Sequence, residues 1–311
     1  MVGRDLPPCT GPKLGPFVIE GQDQDIIFKK HLGSAVHSHV FEVIINGSTY
    51  ALKMFKFLDP RILHPYTGSE LAPINLKTIA HHKDPFYSEC RAFGRLKETG
   101  REDLAVHCYG YIITNSKHEE DVCRQFRISN WDRSEQDEGK PVRAIVKELV
   151  RSEQMYVPKM VPRMMRELRD LNGLGIQVWD VKDDMYLGGV LIDLSQARTV
   201  PHIQLDLEAG IWKRDRILGE GNYDYECFDA YIIDEWNDHH DEHIWDRFEP
   251  NSTFRSRLRS SAKGPPKQTN LPFAALYDWK RESRKRKAKP EVANPTTKAR
   301  RIVKTKRRKK S

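Results

Sequence analysis

Apolar and polar positions alternate along IIFKKHLG, VFEVIING and STYALKMFKF, which predicts three strands within residues 26–57. Asn46-Gly47 stands between two of these runs and marks a tight hairpin. Residues 59–82 are rich in Pro and His and read as an irregular insertion. The period then changes. In DPFYSECRAFGRLKE, Asp84-Pro85 is a helix start, and Phe86, Cys90, Phe93 and Leu96 recur at helical spacing. Two further strands are expected at 105–114 and 144–150, with the polar segment 115–142 between them as a loop. Met160, Met164, Met165, Leu168 and Leu171 share one face of a helix over 160–172, with Pro162 tolerated in its first turn and Gly173 as its stop. A short hairpin comes next, turning at Gly188-Gly189, and residues 224–247 are expected to be helical in at least their first half. Beyond Leu258 the chain becomes rich in Ser, Lys and Pro, and no internal repeat is found.

A β-rich half with one helix thus precedes a mostly helical half that encloses a small hairpin. That order predicts an α+β, bilobal protein-kinase-like fold: a disordered lead at 1–15, a β-rich N-lobe at 16–150, a reduced helical C-lobe at 151–260 and a basic disordered tail at 261–311.

Composition narrows the function classes. A chain of 311 residues can bury a sizeable core. No run of 18 apolar residues exists, so no membrane partner is expected, and MVGRDLPPCTGPKLG lacks the apolar core of a secretory signal. The five cysteines (Cys9, Cys90, Cys108, Cys123, Cys227) are odd in number and show no CxxC spacing, which reads as reduced thiols of an intracellular protein. The net charge of +8 is unevenly placed: residues 280–311 carry +14, leaving −6 for the rest. Two basic clusters, Arg284-Lys285-Arg286-Lys287 and Lys304-Thr305-Lys306-Arg307-Arg308-Lys309-Lys310, have the layout of a bipartite nuclear import signal with a long linker. They would engage an importin, or the phosphates of a nucleic acid without sequence preference.

The candidate chemistry lies in four separated elements. In LGSAVHSHVFEV, Gly33 and Val40 fall where a phosphate-cradling glycine loop has its first Gly and its Val, while Ala35 and Ser38 replace the other glycines. An ordinary tight hairpin is the plainer reading of that stretch. In Tyr50-Ala51-Leu52-Lys53 the strand lysine has the place of one that pairs nucleotide phosphates, and Glu89 on the next helix is its natural partner. In VWDVKDDMY, Asp180 would orient an acceptor hydroxyl and Lys182 would touch the γ-phosphate. Met185 replaces the metal-binding Asn, and a thioether suits a hard cation poorly, so Asp184 is the substitute ligand. Asp193-Leu194-Ser195 keeps the second metal-binding Asp and loses the Gly hinge. ATP and Mg2+ are the cofactors these residues would take. The eroded glycine loop, the lost Asn and the lack of an Ala-Pro-Glu segment after Asp193 point to little or no phosphotransfer. A divergent Ser/Thr kinase or small-molecule phosphotransferase is the alternative. His239 and His243 in DHHDEH are four apart, but without an HExxH pattern they read as a polar helix end.

Longer phrases carry a resemblance. YALKMFKF, DPFYSECRAFGRLKE, AVHCYGYI, RAIVKELV, LGIQVWDVKDD, GGVLIDLSQARTVPH and FDAYIIDEWN, spread over residues 15 to 280, resemble the fungal kinetochore Sim-four-complex subunit Fta-two family. The resemblance implies a subunit of a nuclear assembly at centromeric chromatin, with other protein subunits as its partners. Close members read DIKxxNY where this chain reads DVKDDMY, a departure that bears on metal binding.

Overall fold

The structure, a computed structural model, describes residues 11–18, 25–59, 76–208, 212–248 and 271–282. Met1–Tyr277 group into one compact unit and Asp278–Ser311 into a second. The two basic clusters, residues 1–10 and most of the 59–82 insertion lie outside the described residues.

The N-terminal region is a five-stranded antiparallel sheet, with strands β1 (Ile26–Ala35), β2 (Ser38–Ile45), β3 (Ser48–Phe55), β4 (Cys108–Ile113) and β5 (Arg143–Lys147) in the order β1-β2-β3-β5-β4. The β2–β3 turn forms as expected: Asn46 and Gly47 take φ of 49° and 75°, the left-handed pair that two-residue hairpins require. Helix α1 (Leu76–Lys83) leads into α2 (Pro85–Thr99). Asp84 caps α2 by accepting the Phe86 N–H at 2.9 Å, and Gly100 closes it at φ 66° by donating to Leu96 and Lys97 carbonyls.

Further helices follow: α3 (Ser116–Phe126) between β4 and β5, then α4 (Val161–Gly173), α5 (Arg214–Gly219) and α6 (Tyr223–Phe228). The last of these continues through a π-helical stretch, Asp229–Asp234, into α7 (Glu235–His239). Short pairs β6 (Ile176–Gln177) with β9 (Arg198–Thr199), and β7 (Tyr186–Leu187) with β8 (Val190–Leu191), lie between α4 and α5. The second pair is the hairpin expected at Gly188-Gly189.

Four expectations need correction. The described end of the 59–82 insertion is helical, as α1, because Ile79 buries against the body. The segment 115–142 holds a helix, α3. An Asn115–His118 capping box starts it, and only His118 and Val122 on it are buried, so its apolar stripe is too thin to read as a period. Residues 11–15 do not belong to a disordered lead: Leu14 is buried, Gly15 accepts the Tyr111 N–H at 3.1 Å, and Phe17 donates to the Tyr111 carbonyl at 2.8 Å. The body also extends past 260. Tyr225 donates its hydroxyl to the Pro272 carbonyl at 2.7 Å, Ala274 is buried, and Arg95 lies 4.5 Å from the Tyr277 ring centroid.

Strand alternation divides the core. Leu52, Met54, Ala144 and Val146 pack on the sheet face covered by Val122 and Trp131. Phe55 and Ile145 point the other way, into a larger core shared with α2, α4 and α6. Lys53 and Lys147 share the face of Phe55 and Ile145.

Candidate functional site

A cleft of about 720 Å³ opens on that second face. The β1–β2 hairpin covers it, Ala51, Lys53 and Lys147 form its inner wall, and the segment 179–196 forms its floor.

Gly33 and Val40 are direct partners in the β1–β2 ladder and both line the cleft. The turn between them carries Val36, which is 79% exposed, and Ser38, whose buried hydroxyl has no hydrogen-bond partner among the described residues. Glycine is not demanded at 33, since its backbone is not left-handed and a methyl added there would meet nothing within 4 Å. His37 lines the same roof, and burial together with the Lys53 charge lowers its pKa.

Lys53 ties three chain segments together. Its ammonium lies 3.0 Å from Glu89 on α2 and 2.6 Å from Asp193 after β8. Glu89 is fully buried behind the wall, and Asp193 faces the cleft with its side chain 20% exposed. Burial alone would raise the Asp193 carboxyl, but the Lys53 and Lys147 ammoniums and the Ser195 N–H outweigh it and hold it well below the usual carboxylate range. The pairing of Lys53 with Glu89 is therefore as the sequence predicts.

Asp180, Lys182, Asp184 and Met185 form a second group, on the outer floor. Lys182 stands 3.4 Å from Asp180 and 3.5 Å from Asp184, all three being partly exposed. Burial alone would lower the Lys182 pKa, but the two carboxylates outweigh it and raise the value, so the ammonium stays charged. The expected residues thus line one cleft as two clusters, with Glu89 in the wall behind.

Two residues escape sequence reading. Lys147, inside the apolar run AIVKELV, pairs with Glu89 and donates to the Ile192 carbonyl at 2.9 Å. A lysine in a strand that is otherwise buried was its signal. Asp224 on α6 is buried and accepts the backbone N–H groups of Val178 and Trp179 at 2.8 Å each, and the Asn172 amide at 2.9 Å. It fixes the chain just ahead of Asp180. Trp179 takes φ 72° there, stacks on Tyr223 at 4.3 Å, and has the Arg198 guanidinium 3.1 Å from its ring centroid. Burial pushes Arg198 down to about 9.

A family model described as Kinetochore Sim4 complex subunit FTA2 matches residues 2–198. The chain belongs to this family. The FTA2 match takes in Lys53, Glu89, Lys147, Asp180, Lys182, Asp184 and Asp193, and ends before Asp224. No curated protein matches the chain. Among the described residues no helix is long and apolar enough to cross a membrane.

Proposed function

We propose that this FTA2-family chain is a protein-kinase-like subunit of a kinetochore assembly, acting at centromeric chromatin in the nucleus among protein partners, and that its cleft holds a nucleoside phosphate with little or no phosphotransfer. The observation that carries the reading is Lys53 bridging Glu89 and Asp193 at the back of an open cleft. Such a bridge fixes the ammonium at the cleft wall, where a phosphate that takes the place of Asp193 meets it with little screening by water. In this reading Lys53 takes the inner phosphates, and Gly33 and Val40 keep the β1–β2 hairpin above them. Lys182 takes the outermost phosphate and Asp180 faces an acceptor hydroxyl.

Weak or absent chemistry follows from the same residues. Met185 offers sulfur where a hard cation needs oxygen, and Lys182 is engaged by both Asp180 and Asp184. Losing one charge-stabilising contact costs phosphotransfer roughly 3–4 kcal/mol, if a lost oxyanion-hole donor is the guide. The basic tail would serve an importin or nucleic acid.

A thermal-shift titration with ATP and Mg2+, run beside a labelled-ATP transfer assay, tests this. Nucleotide at about 100 times its Kd should stabilise the fold by about 2.7 kcal/mol, with no labelled product. Lack of any shift at millimolar nucleotide sinks the nucleotide reading. Rapid transfer to an acceptor would favour the divergent kinase or phosphotransferase.

A further inference from the structure

The four charged side chains at the back of the cleft sum to zero. Lys53 meets one Glu89 oxygen and Asp193, while Lys147 meets the other Glu89 oxygen. Glu89 is fully buried, and both lysines are almost so. A single lysine between two carboxylates would leave one negative charge in poor contact with water, a charge that a divalent cation is suited to balance. Lys147 removes that demand. With Glu89 held by Lys147, Lys53 can turn toward a phosphate without leaving Glu89 unpaired.

One oxygen of each of the two expected metal ligands, Asp193 and Asp184, already faces an ammonium. Asp193 Oδ1 already receives Lys53 and the Ser195 N–H at 2.8 Å. A cation there would have to displace the ammonium or sit against it. Asp184 stands 3.5 Å from Lys182, and between the two acids Met185 supplies only a thioether. Among the described residues no group of three or more His, Cys, Asp or Glu converges to hold a metal. Donors for an anion line the cleft as well: Lys53, Lys182 and Ser38, whose buried hydroxyl has no hydrogen-bond partner among the described residues.

We infer that the cleft binds its nucleoside phosphate without a divalent cation, Lys147 supplying the positive charge that a metal would otherwise bring. This rests on the nucleotide reading of the cleft.

Calorimetric titration of the full chain with ADP and with ATP, once in EDTA and once in excess Mg2+, tests it. The expected result is a Kd that differs by less than about threefold between the two buffers. Lys147→Met should weaken binding in EDTA by at least about tenfold, with added Mg2+ recovering most of the loss. Lys147→Arg keeps the charge and should stay indifferent to metal. Binding seen only with Mg2+ overturns this inference and leaves the nucleotide reading standing. Binding in neither buffer overturns the nucleotide reading itself. A folded Lys147→Met chain that binds in EDTA as tightly as the native one overturns the role given to Lys147. Should that variant fail to fold by circular dichroism, the native two-buffer comparison and Lys147→Arg decide.

Discussion

Asp224 accepts the backbone N–H of Trp179 at 2.8 Å and so holds a bulky residue at φ 72°, one position before Asp180. Backbone of that kind costs of order 1–3 kcal/mol and persists only when its surroundings enforce it. The second oxygen of Asp224 binds Val178 and Asn172, so one buried carboxylate sets the entry to the cleft floor. Asp224→Ala removes three acceptor contacts and is expected to destabilise the fold by about 3–5 kcal/mol, measured by urea denaturation. Asp224→Asn, which keeps the shape and loses the charge, should cost less. An alanine variant within about 0.5 kcal/mol of the native chain would show that the loop holds itself.

Gly94 lies inside α2, where alanine ordinarily gains about 1 kcal/mol. Here the sign should reverse. An added methyl would fall 2.4 Å from the Lys13 backbone carbon, so residues 11–17 would have to leave their seat on α2 and β4. Gly94→Ala is expected to raise hydrogen exchange at the Phe17 and Tyr111 amides, which pair with Tyr111 and Gly15 carbonyls in the native fold. Unchanged protection at both amides would contradict this docking.

The Asp193 carboxyl titrates below its ordinary 3.8 because Lys53 and Lys147 outweigh its burial. A lowered folded pKa stabilises in full above the unfolded value and is lost as pH falls through the folded one. The native chain should therefore shed stability steeply below about pH 4, a value close to the unperturbed carboxylate pKa. Asp193→Asn should be weaker at neutral pH and lose less between pH 5 and about pH 2.5. Parallel acid limbs in the two denaturation series would speak against the pairing.

The segment 271–277 belongs to the body. Phe273 lies over Gly221 and Tyr277 over Gly175, close enough that a methyl at either glycine would meet a ring within 3 Å. A chain ending at 260 should lose about 2–4 kcal/mol against one ending at 277, the worth of burying one or two aromatic side chains. Comparing their melting and protease resistance checks this. Equal stability would return the boundary to 260.

Much of the local structure was legible in the sequence. The period-two runs, Asn46-Gly47, and the Asp84-Pro85 start marked three strands, a hairpin and α2 with small errors at their ends, because each depends on neighbours within a few residues. The partnership of Lys53 and Glu89 was legible too, since a lysine in a half-buried strand must find a carboxylate and the next helix offered one. Helix α3 was not, because only two of its side chains are buried and its start depends on one capping box.

What remained hidden was decided by distance along the chain. Lys147 is 58 residues from Glu89 and Asp224 is 45 from Trp179, and no periodicity in either neighbourhood announces its partner. Residues 11–17 and 271–277 look like flanking polypeptide until glycines at 94, 110, 175 and 221 are seen to leave room for them. Local preference sets the elements through short-range sterics and hydrogen bonding. The pairing of buried charges waits for the fold, because only a closed core makes an unpaired charge costly enough to select one partner.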